Sequence, residues 1–248
     1  ASADARGVDY YPRMMDVPEG TGPKPGRFAR DKDRNITFRQ LISNTSGYLK
    51  PGERPGELFH YQTFGMNILC HALAAAQGPE GAGGIGPLIE RKIRDPIGGT
   101  WTWRHTNFDL PPAARMDIFG NYTQLCMTAL DMARLGWLWC ELGRWGDSQI
   151  VPRQWLAESV QVNPAPAASD NRPETYGQGF WSNQRLACWP DLPADSFAAA
   201  GAGSFLIWCC PNLDLVVAEG PGIYQDNAEE NAGFVARVLD ACPSGRGG

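Results

Sequence analysis

The sequence lacks the features that mark several large classes of protein. None of its apolar runs reaches 18 residues, so no segment is expected to span a membrane. Its 22 Lys and Arg are outnumbered by 27 Asp and Glu, and the resulting net charge of -5 argues against binding to nucleic acid. There is no internal repeat, no Walker loop and no GxGxxG after a predicted strand, so we expect no nucleotide cofactor.

Patterns that bind metals or build disulfide frameworks are also missing. The three histidines have no paired spacing and the seven cysteines form no C-x-x-C pair, so we expect no zinc site. An odd number of cysteines leaves at least one thiol free, and most lie in apolar stretches, which predicts mostly buried free thiols. The first six residues do not form a signal-peptide pattern, and the compartment stays open between the cytoplasm and export.

What is present is the composition of a folded globular protein. Hydrophobic residues make up 43% and charged residues 20% of the 248 positions. The 29 glycines and 20 prolines predict long loops, and nine tryptophans are enough to fill a core or line a concave site. We predict a single domain over 1–248, with a helical region at about 36–175 and a sheet plus final helix at about 176–242.

Periodicity and end signals place the main elements. Thr37 and Gln40 form a capping-box pattern that starts a short helix, and Pro152 is typical of a first helical position. Longer helices are predicted at 63–76, 87–93, 125–142 and 227–239, and an irregular loop at 95–123. Four short strand-like runs lie at 179–182, 196–200, 205–209 and 213–218, the last two forming a hairpin. This order predicts an α/β (α+β) fold with an antiparallel sheet flanked by helices.

Four segments, in order along the chain, resemble a known family. Residues 36–47 read ITFRQLISNTSG and resemble ITxRxLLxHTSG, and residues 59–69 read FHYQTFGMNIL and resemble FxYSNxGYxLL. Residues 125–136 read LCMTALDMARLG and resemble LxSTAxDMARFG, and residues 205–217 resemble xxWVDPxxDLVVV. Together they resemble the class C β-lactamase and penicillin-binding serine hydrolase superfamily, which includes esterases and amide hydrolases with a β-lactamase/transpeptidase-like fold.

The resemblance implies an acyl-enzyme mechanism on a small ester or amide, without a cofactor. In the family a Ser-x-x-Lys turn supplies the nucleophile, a tyrosine shares its proton with the lysine, and an edge strand donates an N–H to the oxyanion hole. Carried over, the tyrosine is Tyr61 and the oxyanion donor is Ala202. Residues implied to contact substrate are His60, Thr63, His105, Tyr122, Ala200 and Gly201.

Each of these residues also has a simpler interpretation. Tyr61 could be a core tyrosine, His60 a loop residue, and the Gly201 run a place where two backbones approach closely. Trp101, Trp103 and His105 could pack as part of a wall rather than touch substrate. Ser46 ends a helix and has no lysine three residues on, which argues against it as a nucleophile.

The sequence departs from the family pattern at three places. No Ser-x-x-Lys occurs in the 248 residues, although residues 9–14 resemble the DYxPxF stretch that follows it in the family. Thr63 replaces the asparagine of the tyrosine box, and Ala199-Ala200-Gly201 replaces a Lys-Thr-Gly or histidine-containing triad. The loss of a cation or imidazole there favours a neutral ester or amide over a β-lactam carboxylate.

Two explanations remain for the absent nucleophile. The chain could be part of a serine hydrolase whose Ser-x-x-Lys segment lies before Ala1 or on a partner chain. Alternatively, it could be a catalytically inactive homologue that binds a ligand or a partner protein.

Overall fold

The computed structural model describes residues 1–106, 116–119, 122–163, 175–201, 205–220 and 228–242. The chain divides into two compact units. The first comprises Ala1–Cys126 with Asn163–Pro173, and the second Met127–Val162 with Glu174–Gly248. Helices combine with antiparallel sheets, which confirms the predicted fold class. In the described residues, no helix combines the length and apolar character that crossing a membrane requires.

The first unit is mainly helical. Short 3-10 helices at Gly7–Asp9, Pro12–Met15 and Asp31–Asn35 precede its longer elements. Those elements are α1 (Phe38–Ile42), α2 (Thr63–Ala76), α3 (Ile85–Ile89), β1 (Thr102–Thr106), α4 (Met116–Phe119) and β2 (Tyr122–Cys126), with a 3-10 turn at Gly78–Gly81 and a π-turn at Glu90–Arg94 after α2 and α3. The helix predicted at 63–76 is confirmed at both ends. The irregular loop predicted at 95–123 is wrong in part, because β1 pairs with β2 in antiparallel register.

The capping box predicted at Thr37 is present and fixes the start of α1. The Thr37 hydroxyl accepts from the Gln40 N–H at 3.2 Å, and the Gln40 side chain accepts from the Thr37 N–H at 2.9 Å. Two of the four N–H groups that a helix start leaves without partners are satisfied in this way. The helix ends after Ile42, since Asn44 takes a left-handed backbone with φ of 56°.

The core of the first unit holds α1 and α2 together. Leu41 of α1 and Ile68 of α2 are fully buried in one apolar cluster, which also encloses Tyr48 and Phe119. Two polar bonds orient it: the Tyr48 hydroxyl donates to the Met14 carbonyl at 2.6 Å, and the Asn67 amide donates to the Phe119 carbonyl at 2.9 Å. Helix α2 is therefore held in the first unit by apolar packing and by a buried hydrogen bond.

The second unit carries a four-stranded sheet. Its elements are α5 (Ala129–Cys140), β3 (Arg144–Trp145), β4 (Ser148–Gln149), α6 (Arg153–Ser159), β5 (Trp181–Ser182), β6 (Phe197–Gly201), β7 (Phe205–Cys210), β8 (Leu215–Glu219) and α7 (Ala228–Ala241). The strand order is β5-β6-β7-β8, and every pair is antiparallel. The predicted hairpin is confirmed as β7 and β8, with Cys210 opposite Leu215.

Helix α5 begins later than predicted. The expected start at Leu125 is wrong because Leu125 belongs to β2. The Thr128 hydroxyl accepts from the Asp131 N–H at 3.1 Å, and the Asp131 carboxylate accepts from the Thr128 N–H at 3.5 Å. This second capping box sets the first helical residue at Ala129.

Strand β7 is buried on both faces. Leu206, Trp208 and Cys210 share an apolar cluster with Val235 of α7. Ile207 and Cys209 point the other way, towards Gly136 of α5. A Cβ atom at Gly136 would lie only 2.8 Å from the Ile207 Cγ2 atom, so the missing side chain allows α5 to approach the sheet closely.

The seven cysteines are all free, and their burial differs from the prediction. Cys209 and Cys210 are buried, whereas Cys126 and Cys242 are exposed and the other three are half-buried. Only two of the seven are buried, so the prediction of mostly buried thiols is wrong. Cys126 lies on the two-stranded β1–β2 sheet and Cys242 follows α7, both outside the apolar clusters.

Candidate active site

Tyr61, the residue implied to move the proton, lies directly before α2 in the first unit. Gln62 stands at the N-cap position of the helix, and Thr63 is its first residue. The Tyr61 side chain is 56% exposed, which does not fit the alternative of a core tyrosine. His60 is half-buried beside it and Thr63 is exposed, so the three residues form one short accessible segment.

Asn44 holds this segment on both sides of Tyr61. Its backbone carbonyl accepts from the His60 N–H at 2.8 Å, and its side-chain oxygen accepts from the Gln62 N–H at 3.0 Å. The Gln62 side chain also donates to the Ser46 hydroxyl at 3.2 Å. A side chain used in proton transfer must be held closely in place, and here one buried residue fixes both neighbours of the tyrosine.

The Ser46 hydroxyl is part of this hydrogen-bonded support of the Tyr61 segment. Ser46 is 1% exposed, and its hydroxyl oxygen also accepts a hydrogen bond from the Tyr48 N–H at 3.3 Å. A nucleophile must reach a substrate carbonyl, and this hydroxyl is enclosed. The structure therefore agrees with the sequence-based argument against Ser46.

His60 also contacts ionisable side chains of the preceding loop. The Lys50 ammonium is 3.3 Å from the Glu53 Oε1 atom, which is also 3.2 Å from the His60 Nδ1 atom. Lys50 is only 3% exposed, and burial lowers its pKa to about 8 although Glu53 acts in the opposite direction. The imidazole ring of His60 is thus held by the Glu53 carboxylate.

The electrostatics of Tyr61 depend on burial. Loss of solvation raises the pKa of its hydroxyl above the usual value of 10.0. A tyrosine that accepts a proton near neutral pH needs a lower pKa, and a neighbouring ammonium group acts in that direction.

In the second unit, the implied oxyanion strand has an open side. The two residues of β5 pair with Phe197 and Ala198 of β6. In the ladders of the described sheet, Ala199, Ala200 and Gly201 pair with β7 alone. Ala200 and Gly201 are exposed, whereas the implied oxyanion donor Ala202 lies outside the described residues.

The remaining implied residues lie on the β1–β2 sheet. His105 pairs with Thr123, and Thr106 pairs with Tyr122, so His105 and Tyr122 are brought close along the backbone. The side chains of both lie outside the described part of the chain.

Two tryptophans expected to pack or to touch substrate are packed. Trp101 is 1% exposed, and the Trp103 indole donates to the Glu90 carboxylate at 2.6 Å while it lies against Gly86. Their positions within the first unit favour the wall-packing interpretation.

Sequence reasoning missed Asn44, Lys50 and Glu53. An asparagine just after a short helix is a usual left-handed position, so the turn at Asn44 was readable from the sequence. Its bonds to His60 and Gln62 were not, because they join residues 16 and 18 positions apart. Lys50 and Glu53 lie in a loop rich in proline and glycine with no local signal.

Comparison with solved structures shows the same fold in several enzymes. The match to a β-lactamase from Mycobacterium bovis covers 96% of this chain and 82% of that protein, with 22% sequence identity and a TM-score of 0.60. The match to the simvastatin synthase LovD from Aspergillus terreus covers 98% of this chain and 78% of that protein, with 13% sequence identity and a TM-score of 0.68. The match to a family VIII carboxylesterase covers 96% of this chain and 76% of that protein, with 14% sequence identity and a TM-score of 0.63.

Sequence comparisons identify the family. A search of curated protein sequences gives no match. The sequence model of the Beta-lactamase family matches residues 3–218, which is most of the chain. The predicted resemblance is thereby confirmed, and the chain belongs to the Beta-lactamase family.

Proposed function

We propose that this chain forms the body of a serine hydrolase that cleaves an ester or amide through an acyl-enzyme. The observation that carries the proposal is the exposed Tyr61, held on both sides by Asn44 at the start of α2. Tyr61 accepts the proton of the attacking serine and returns it to the leaving group, as general acid-base catalysis requires. The carboxylesterase among the similar structures supports an ester-cleaving chemistry.

The nucleophile of the proposed reaction comes from outside these 248 residues. None of the serines in the sequence is followed three positions later by lysine. A Ser-x-x-Lys turn places serine and lysine on one helical face, and its ammonium group would lower the pKa of Tyr61. We assign this turn either to a further segment of the same polypeptide or to a partner chain.

Substrate preference follows from β6. Ala199, Ala200 and Gly201 offer backbone groups but no cationic or imidazole side chain on the open side of the strand. With no charge there to bind a carboxylate, we expect neutral esters or amides to be preferred to β-lactams. His60, Thr63, His105 and Tyr122 are the proposed substrate contacts, and the N–H of Ala202 the proposed oxyanion donor.

Labelling with a fluorophosphonate probe tests the proposal. The 248-residue chain alone should take no label and should not hydrolyse p-nitrophenyl acetate or nitrocefin. The protein made from the full reading frame, or the chain mixed with its partner, should be labelled at a Ser-x-x-Lys serine and favour p-nitrophenyl acetate.

A matched pair of variants then tests the role of Tyr61. In the active protein, Tyr61→Phe should slow acylation about 10²–10⁴-fold. Tyr10→Phe removes a hydroxyl from a ring packed on Phe38 in the same unit and should leave the rate unchanged. Equal rates for both variants would remove Tyr61 from the mechanism.

The second candidate is a catalytically inactive homologue that binds a ligand or a partner. The absence of Ser-x-x-Lys from the sequence is the observation that favours it. A reading frame without that motif, together with a purified complex that never takes the fluorophosphonate label, would establish this alternative and exclude the hydrolase.

A further inference from the structure

Two of the free cysteines in the second unit lie at the contact between α5 and the sheet. Cys140 is the last residue of α5, and Cys209 is the buried last-but-one residue of β7. The Cys209 thiol donates to the Gly136 carbonyl at 3.6 Å, and the Cys140 thiol donates to the Leu215 carbonyl at 3.9 Å. Gly136 and Cys140 are four residues apart on one helical face, so both thiols occupy the same seam.

The two thiols also interact with each other. Burial raises the pKa of the Cys209 thiol well above 9.0, and a side-chain hydrogen bond with Cys140 acts in the same direction. A disulfide joins two sulfur atoms at about 2 Å, so forming one here would draw the two thiols together within this seam. Close packing at Gly136 holds α5 directly against β7.

We propose that Cys140 and Cys209 are a thiol pair that a low-molecular-weight disulfide oxidises to an intramolecular disulfide joining α5 to β7. Cys140 is half-buried and gives the oxidant access, whereas Cys209 is buried. A Cys140 thiolate attacks the small disulfide, releases one small thiol and forms a mixed disulfide. Cys209 then attacks the Cys140 sulfur and releases the second small thiol, so the protein loses two electrons and two protons.

The neighbouring cysteine provides a natural control. Cys210 follows Cys209 on β7 but faces the opposite side of the sheet, where its thiol lies 3.6 Å from the Asp195 carboxylate. Burial and the Asp195 charge raise the pKa of Cys210 to about 12. Two adjacent thiols on one strand thus differ in their access to Cys140, and only Cys209 is placed to join it.

The test uses the 248-residue chain with Cys126→Ser and Cys242→Ser, which remove the two exposed thiols. Incubation with oxidised glutathione should consume two thiols, with a mass loss of two hydrogens and no retained glutathione. The reaction should quicken as pH rises, because Cys209 must lose its proton before it attacks. The melting temperature should rise by about 5–10 °C and return to its starting value on reduction.

Cysteine variants in that background identify the pair. Cys140→Ala and Cys209→Ala should each abolish both the mass loss and the thermal shift, whereas Cys210→Ala should retain both. The proposal is overturned if all five remaining thiols stay titratable, if a glutathione adduct persists without loss of a second thiol, or if Cys209→Ala still forms the link.

Discussion

Replacing Asn44 tests whether one residue holds the Tyr61 segment. Asn44→Gly keeps the left-handed backbone but removes the side-chain oxygen that accepts from the Gln62 N–H at 3.0 Å. Leaving that donor without its partner should lower the free energy of unfolding by about 1–2 kcal/mol. Asn44→Ala adds the cost of a Cβ atom at a φ of 56°, so it should be about 1 kcal/mol less stable again.

Urea denaturation measures these differences, and hydrogen exchange locates them. The Gln62 amide should lose protection in both variants because its acceptor is gone. The His60 amide should keep its protection, since its acceptor is the Asn44 backbone carbonyl at 2.8 Å, which every substitution retains. Unchanged Gln62 exchange, or an equal loss at His60, would refute the inference that Asn44 acts through two separate bonds.

The other predictions concern the α5 contact and Lys50. Gly136→Ala should destabilise the protein by about 1–3 kcal/mol in thermal denaturation, because its Cβ would overlap Val216 and Ile207. Gly233→Ala, in α7 with open space around it, should instead stabilise by about 0.5–1 kcal/mol, and equal signs for the pair would contradict the packing argument. Because the pKa of Lys50 falls to about 8 on folding, the unfolded chain binds more protons between pH 8 and 10.5, and stability should rise with pH there by up to about 3 kcal/mol relative to Lys50→Met. A parallel pH dependence for wild type and Lys50→Met would show that Lys50 is not desolvated.

Elements with strong local signals could be predicted from the sequence. Thr37 and Gln40 set the start of α1, and apolar spacing placed α2 at 63–76. The β7–β8 hairpin was also readable, since two apolar runs are separated by a proline-containing turn. The β1–β2 pair was missed because Thr102–Thr106 mixes polar and apolar residues, and its partner strand begins 16 residues after it ends.

The candidate site was predictable to a smaller extent. Tyr61 was found through the motif it shares with the family, whereas its exposure and its support from Asn44 come from folding. The burial of Lys50 depends on how its loop closes over Glu53, and loop closure leaves no periodic pattern in a sequence. Residues that act by tertiary contact are therefore the part that only the structure reveals.

The two apolar faces of β7 have a consequence for how the sheet aligns. When both sides of a strand are apolar, hydrophobic burial alone does not distinguish one pairing register from a shift by one residue. Size does so here, because such a shift would turn the Trp208 indole towards the bare backbone of Gly136, where Ile207 and Cys209 now fit. The lack of a side chain at Gly136 thus favours the observed register of β7 over a register shifted by one residue.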